Sequence, residues 1–277
     1  MPLRESVAIV VVGAAVLGAP VPAAGQSRDA PIPHDVGQSV NPSFEGWYPN
    51  HDGTFSLSFG YFNRNYEQAL DIPVGAANRF EPGPPDRGQP THFLPRRHTG
   101  VFTVTVPADF GDGTLTWSVT AGGETFSVPG HLRSEWEIDA LHEITSGNRP
   151  PELRFAPDGA AAQGPGGVRA ALDAEAGQPV AIAVWASDDG IQKRATGNPP
   201  QLGLVWSKYR GPGEVTISEA RPSVRADGRA ATTATFDAPG TYVLRVLAWD
   251  DSGPQGPIMA GGFQCCWTNA YVDIDVR

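Results

Sequence analysis

Hydrophobic and polar residues alternate near the C-terminal end of the chain in two runs that predict a β-hairpin. In segment 242–248, Tyr242, Leu244, Val246 and Ala248 alternate with Val243, Arg245 and Leu247. In segment 270–276, Ala270, Val272, Ile274 and Val276 alternate with Tyr271, Asp273 and Asp275. A period of two gives a strand one buried face and one more polar face. The two segments therefore predict two paired strands that close a β-sandwich.

Shorter runs of the same kind predict further strands along the rest of the chain. They lie at 55–61, 101–106, 115–119 and 126–128 in the first half, and at 180–185, 202–206, 215–218 and 231–236 in the second. Turn-forming residues separate them, in keeping with 33 Gly and 27 Pro. Only 139–144 is a brief helical candidate. The sequence therefore predicts an all-β protein with two β-sandwich domains.

The N-terminal segment has the layout of a cleaved signal peptide. An apolar run at 7–17 follows Arg4, and the small residues Ala23 and Gly25 precede a cleavage position before Gln26. The run is too short to cross a bilayer as a helix. We therefore expect residues 1–25 to be removed and the protein to be exported, to the periplasm or to the extracellular space and cell surface.

Changes in composition suggest the boundaries of the remaining parts. We expect an irregular lead-in at 26–43, an N-terminal β-sandwich domain at 44–147, a linker with the first strand at 148–167, and a second β-sandwich domain at 168–277. The first domain contains a long loop rich in Pro and Gly, about 71–99, and loops of this length are usually functional or packed excursions.

The charge of the chain limits the partners that we expect. The formal net charge is −10, which argues against nucleic acid and anionic membranes as partners. After the signal peptide the sequence has no long apolar run, so we expect no membrane insertion once the signal is cleaved. An extracellular protein or a glycan is the expected class of partner.

The second half of the chain resembles the PKD-type and related immunoglobulin-like domains of exported bacterial proteins. The resemblance is carried by NRPPEL, AGQPVAIAVWASDDG, LVWSKYRGPGEVTI and TATFDAPGTYVLRVLAWDD, within 148–277. It implies a two-sheet sandwich with Trp206 in the core and Tyr242 at a corner after Gly240. The long final loop, with PQGPIMAGGFQCCWTN in place of a short turn, departs from the family. The first half resembles only exported bacterial proteins without a known activity.

Two adjacent cysteines, Cys265 and Cys266, precede Trp267 at the start of the last strand. Cysteines of an exported protein are expected to be oxidised. One hypothesis is a vicinal disulfide that presents a flat sulfur surface beside Trp267, on which a sugar or an aromatic ligand could stack. The alternatives are a packed pair of thiols, an intermolecular disulfide, or a soft-metal site, for which a lone Cys-Cys lacks further ligands.

Two acidic pairs, Asp188-Asp189 and Asp250-Asp251, follow the second and penultimate strands of the second domain. In the implied topology these loops leave the sandwich at the same end as the cysteines. Carboxylates that converge there could bind calcium through their oxygen atoms, and calcium is the one cofactor that we consider. The alternative is that each aspartate only stabilises a turn.

A cluster of polar residues in the 79–98 loop is the candidate for catalysis. His92 or His98 could serve as a general base with Asp86 as its partner. The sequence contains no GxSxG or HExxH motif to accompany them. We therefore expect a non-catalytic binding or structural module that acts through the apical loops of the second domain. The alternatives are an exported hydrolase that uses the 79–98 loop, or a subunit of a larger exported complex.

Overall fold

The computed structural model describes residues 34–144, 146–191, 202–250 and 265–277. The predicted signal peptide, 1–25, and Asp251 lie outside these ranges. Within them the chain is all-β, as predicted, with one short 3-10 helix, Ser134–Trp136, and no α-helix. The helical candidate at 139–144 is wrong, because these residues form turns. No helix in the described ranges is long and apolar enough to cross a membrane.

Two three-stranded antiparallel sheets and one short strand pair form the first half of the fold. The first sheet has the order β1-β2-β6, the second β4-β7-β8, and β3 pairs with β5. The strands are β1 (Val40–Pro49), β2 (Phe55–Asn63), β3 (Leu70–Asp71), β4 (Asn78–Glu81), β5 (His92–Phe93), β6 (Arg96–Val106), β7 (Leu115–Ala121) and β8 (Glu124–Gly130). Four of these strands begin in segments where the alternation predicted none: β1 in the expected lead-in, and β4, β5 and β6 in the expected long loop.

Aromatic side chains fill the core of this first half. Phe59, Phe80 and Trp117 are fully buried, and Phe59 lies 5.3 Å from Phe80 and 6.1 Å from Trp117 between ring centroids, in edge-to-face arrangements. Such pairs add specific geometry to the burial of a large apolar surface. The core therefore explains why strands β2, β4 and β7 come together from separate parts of the chain.

Two four-stranded sheets form the second half, in the arrangement of an immunoglobulin-like sandwich. One sheet has the order β13-β14-β11-β9 and the other β10-β16-β15-β12, with β10 parallel to β16. The strands are β9 (Glu152–Arg154), β10 (Val168–Ala174), β11 (Val180–Ser187), β12 (Gly203–Arg210), β13 (Val215–Ile217), β14 (Arg229–Phe236), β15 (Gly240–Trp249) and β16 (Trp267–Val276). This order matches the ABED and CFG sheets of immunoglobulin domains.

Two side chains confirm what the resemblance implies for this sandwich. Trp206 on β12 is 1 % exposed in the core. Tyr242 is fully buried near the start of β15, and its hydroxyl donates a hydrogen bond to the carbonyl oxygen of Ala238 at 2.8 Å. A tyrosine in this position that bonds a carbonyl a few residues upstream is the tyrosine corner of the fold.

The sheet of β12, β15 and β16 is buried on both faces. One face covers the core of its own sandwich, whereas Tyr209, Val243 and Tyr271 on the other face join the core of the first half. Arg245 on this second face is 6 % exposed, and its guanidinium donates to Oδ1 of Asn269 at 2.6 and 2.9 Å. The two halves are therefore packed against each other, and residues 34–277 cluster as one compact unit.

Candidate functional site

The two cysteines of the chain are bonded to each other. Cys265 and Cys266 form a vicinal disulfide, and their residues are 3 % and 0 % exposed. Neither cysteine is a free thiol. The thiol and soft-metal alternatives therefore do not describe this structure, and the disulfide presents almost no surface to a ligand.

Trp267 is buried between the two halves of the fold. It is 1 % exposed, and its indole Nε1 donates to the carbonyl oxygen of Gly100 at 2.9 Å. Gly100 has a φ of +56°, and a Cβ atom there would overlap the indole ring, so the contact requires glycine. Trp267 thus exposes almost no surface on which a ligand could stack, because Gly100 of β6 covers the face of β16 that carries it.

Three of the predicted apical residues, Asp189, Asp250 and Cys266, contact the segment Asn148–Arg149. Asp250 is 1 % exposed and accepts a hydrogen bond from Nδ2 of Asn148 at 2.6 Å. Asp189 accepts one from the backbone N–H of Arg149 at 3.1 Å, and Sγ of Cys266 lies 3.6 Å from the carbonyl oxygen of Asn148. The start of the second half thus connects the loops that follow β11 and β15 with the start of β16.

The carboxylates after β11 make the hydrogen bonds of turns. Asp188 accepts from the N–H of Gly190 at 3.0 Å, and Asp189 accepts from the N–H of Ile191 at 2.9 Å. Over the described ranges, no three His, Cys, Asp or Glu side chains lie together in a way that could hold a metal ion. Calcium binding by Asp188, Asp189, Asp250 and Asp251 stays a prediction.

A cleft of about 670 Å³ opens at the same end of the second sandwich. It lies between the end of β11, the start of β12 and the turn before β14. It is lined by Arg154, Pro157, Trp185, Ala186, Ser187, Asp188, Leu202, Val224, Arg225, Ala226, Asp227 and Gly228. Its volume is within the range of about 300–1,000 Å³ that ligand sites occupy.

Trp185 lies on the outer face of its sheet. Its neighbours Val184 and Ala186 point into the core and are buried, whereas Trp185 is only half-buried. In the register of the sheet it pairs with Arg154 on one side and Arg229 on the other. The guanidinium carbon of Arg229 is 5.7 Å from the ring centroid, within the range of a cation–π contact. The indole therefore contacts the Arg229 guanidinium on the wall of the cleft.

Backbone hydrogen bonds fix the opposite wall of the cleft. The turn before β14 is closed by bonds between Arg225 and Gly228 at 2.9 Å and between Arg225 and Arg229 at 3.0 Å, and Ala186 donates to the carbonyl of Gly228 at 2.9 Å. Gly228 has a φ of +79°, and a Cβ atom would lie 2.9 Å from the carbonyl oxygen of Ala186. The cleft is therefore formed before any ligand binds.

The residues of the 79–98 loop are engaged in contacts between the two halves. Asp86 makes a bidentate ion pair with Arg210, at 2.7 and 3.0 Å, and these hydrogen bonds lower the pKa of Asp86. His92, rather than pairing with Asp86, has Nδ1 at 2.9 Å from Asp71, which also accepts from Lys208 at 3.0 Å. Asp86 thus acts as a bridge between β12 and the loop.

His98 has a different environment from the one that a general base requires. Its Nε2 lies 3.0 Å from the carbonyl oxygen of Pro95, and its ring stacks on Tyr61 at 5.0 Å. Burial, the largest cause, lowers the pKa of His98 to about 4, although the bond with Pro95 acts in the opposite direction. Of the two histidines, the structure gives a carboxylate partner to His92 and places His98 in an aromatic stack.

Comparison with known proteins gives only distant similarity. No protein-family model and no curated protein matches the chain. Among solved structures, the chain is similar to domains 4 and 5 of the S-layer protein SbsC, with 14 % identity, 64 % of this chain and 70 % of that chain covered, and a TM-score of 0.25. It is also similar to the D0-D1 domain of intimin, with 11 % identity, 86 % and 97 % covered, and a TM-score of 0.24.

A third similar structure is the Yersinia pseudotuberculosis adhesin InvE, with 14 % identity, 85 % and 58 % covered, and a TM-score of 0.24. Scores of this size carry no argument about function. The immunoglobulin-like arrangement of the second half therefore rests on its own strand order and tyrosine corner.

The sequence analysis did not identify Trp185 as a site residue. A signal was present, since Trp185 stands in the phrase AVWASDDG at a position where the alternation of β11 points outward. A large aromatic residue on the polar face of a strand, next to a loop, differs from the surrounding pattern. Of the predicted site residues within the described ranges, only Asp188 lines the cleft.

Proposed function

We propose that the protein is an exported, non-catalytic binding module that holds a neutral saccharide in the Trp185 cleft. The single observation that carries the proposal is the half-buried indole of Trp185 on the wall of a preformed cleft of about 670 Å³. Export follows from the predicted signal peptide. The expectation of binding through the apical loops is kept, with the cleft as the site.

The side chains around the cleft suit a ligand that is rich in hydroxyl groups. The flat face of an indole covers the C–H face of a sugar ring, while its surroundings remain polar. Two arginines, Arg154 and Arg225, and two aspartates, Asp188 and Asp227, line the same space. A hydroxyl both donates and accepts hydrogen bonds, so a neutral sugar matches this balanced set better than an acidic one.

Isothermal titration calorimetry with defined oligosaccharides tests the proposal. The probes are cellohexaose, xylohexaose and chitohexaose as neutral chains and hexagalacturonate as the acidic chain. We expect saturable binding of at least one neutral probe and weaker binding of hexagalacturonate. Trp185→Ala should raise the Kd at the cleft at least about tenfold, and Trp185→Phe should raise it less, because a smaller aromatic face remains.

Thr235→Ala is the matched control for this experiment. Thr235 lies on β14, in the same sheet as Trp185, but does not line the cleft. Its replacement should leave the Kd unchanged. Absence of binding to every probe, or binding to which Trp185→Ala makes no difference, would refute the cleft as a saccharide site. Preference for hexagalacturonate would refute the argument from charge balance.

A further inference from the structure

Two of the seven tryptophans of the chain are accessible to solvent, and all seven lie in the described ranges. One is Trp185 in the cleft of the second half. The other is Trp136 in the first half, which is 42 % exposed on the 3-10 helix Ser134–Trp136. A single exposed hydrophobic side chain is common on protein surfaces, so the case for a ligand at Trp136 depends on its surroundings.

Trp136 belongs to a small aromatic group on the surface of the first half. Its ring lies 5.5 Å from that of Phe44, which is buried, and 5.9 Å from that of His131. His131 in turn contacts Phe44 edge-to-face at 5.0 Å. The indole thus contacts Phe44 and His131, and 42 % of the surface of Trp136 stays exposed to solvent.

Hydrogen bonds hold this group in place. The carbonyl oxygen of Arg133 accepts from Nε1 of Trp47 at 2.8 Å and from the backbone N–H of Trp136 at 3.0 Å. The next segment is bound to β1, because Ile138 donates to the carbonyl oxygen of Trp47 at 2.9 Å. The position of Trp136 is therefore set by the fold, as a preorganised binding surface requires.

A cavity of about 330 Å³ shares His131 with this aromatic group. The loop between β6 and β7 forms one wall and the segment after β8 forms the other. It is lined by Gly111, Asp112, Gly113, Thr114, His131, Leu132 and Arg133. Its volume is at the lower end of the range for ligand sites, and its side chains include a carboxylate, a hydroxyl, an imidazole and a guanidinium.

We infer that the Trp136 surface and the adjacent cavity form a second saccharide site, which stacks one sugar ring on Trp136 and bonds its hydroxyls to Asp112 and His131. The inference does not rest on the Trp185 cleft, because it uses different residues on a different sandwich. With both sites present, a polysaccharide long enough to span them would bind with an avidity above the affinity of either site for a short chain.

Calorimetric stoichiometry separates the two sites. The titrations use cellohexaose, xylohexaose and chitohexaose with the full chain and with Trp136→Ala, Trp185→Ala and the double variant. We expect two binding sites per chain in the full protein, one in each single variant and none in the double variant. Asp112→Asn should weaken only the site that survives in Trp185→Ala, by about three- to tenfold.

The outcomes distinguish failure of the second site from failure of the cleft. Loss of binding in Trp185→Ala with one site per chain in the full protein would overturn the second site and leave the cleft intact. If the full protein has one site per chain, and that site survives Trp185→Ala but is lost in Trp136→Ala, the second site would be supported and the cleft refuted. Trp136→Phe, which keeps an aromatic ring on Phe44, guards against misfolding, and binding unchanged in both Trp136 variants would overturn the inference.

Discussion

Replacement of Trp267 by alanine is the change that best separates a structural role from a ligand-binding role. The side chain is 1 % exposed between β16 and β6, and its Nε1 bonds the carbonyl oxygen of Gly100 at 2.9 Å. The account predicts that Trp267→Ala lowers the stability of the protein strongly. It also predicts that this residue makes no direct contact with a ligand.

The magnitude follows from the burial and from the bonds that remain. Removal of a fully buried tryptophan costs about 3–5 kcal/mol in lost transfer energy and cavity formation. The carbonyl oxygen of Gly100 is not left without a donor, because Nδ2 of Asn269 also donates to it at 2.9 Å. No additional penalty for an orphan acceptor is therefore expected. For a chain of this size the loss corresponds to a decrease in Tm of roughly 6–20 °C.

Urea unfolding followed by circular dichroism, together with differential scanning calorimetry, measures the effect. Trp185→Ala is the matched control, since it also removes an indole but a half-buried one on the outer face of a sheet. It should lower the free energy of unfolding by about 1–2 kcal/mol, less than Trp267→Ala does. If Trp267→Ala and Trp185→Ala had equal effects on the free energy of unfolding, the assignment of Trp267 to the interior would be refuted.

Three further predictions concern other parts of the fold. Intact mass after alkylation should show no label on Cys265 or Cys266 in urea without reductant and two labels after reduction; label without reductant would contradict the vicinal disulfide. Tyr242→Phe removes the bond to Ala238 and should cost about 0.5–1.5 kcal/mol, seen as a lower urea midpoint; an unchanged midpoint would argue against the tyrosine corner. The pKa of His98 is about 4 in the folded protein and 6.5 ordinarily. Between pH 4 and pH 6.5 the unfolded chain therefore binds a proton at His98 that the folded protein does not. The free energy of unfolding should therefore fall by up to about 1.4 kcal/mol per pH unit as the pH decreases from 6.5 to 4. If His98→Gln showed the same dependence of unfolding free energy on pH, the lowered pKa of His98 would be refuted.

The alternation of residues predicted six of the eight strands of the second half, β11 to β16. It did not predict β9 or β10, although a first strand was expected within 148–167. Segments 180–185 and 231–236 became β11 and β14 with little change, because each buries one face in a single core. The resemblance to PKD-type domains placed Trp206 and Tyr242 correctly. Both positions depend on contacts within one sandwich, which a local pattern reflects.

Contacts between the two halves could not be predicted from the same pattern. Alternation distinguishes the two faces of a strand, but it does not say whether the second face is covered. Trp267 and Tyr271 stand on the face of β16 that the pattern marks as more polar, and both are buried against the first half. For the same reason Arg245, which looks like a surface residue, is a buried donor at the interface.

The candidate site, like the fold, could be predicted from the sequence only in part. The convergence of Asp189 and Asp250 at one end of the sandwich follows from the topology that the resemblance implies. The Trp185 cleft depends on how the turn at 224–228 lies relative to the end of β11, and the sequence of neither segment specifies that distance.

Nuclear magnetic resonance of the seven indole N–H groups tests the central claim most directly. The assigned signals are followed as cellohexaose, xylohexaose or chitohexaose is added to the protein. The account predicts that the signal of Trp185 shifts with saturation and that those of Trp206 and Trp267 do not move. A shift at Trp267 with no change at Trp185 would contradict the account and return the ligand site to the end of the sandwich beside the disulfide.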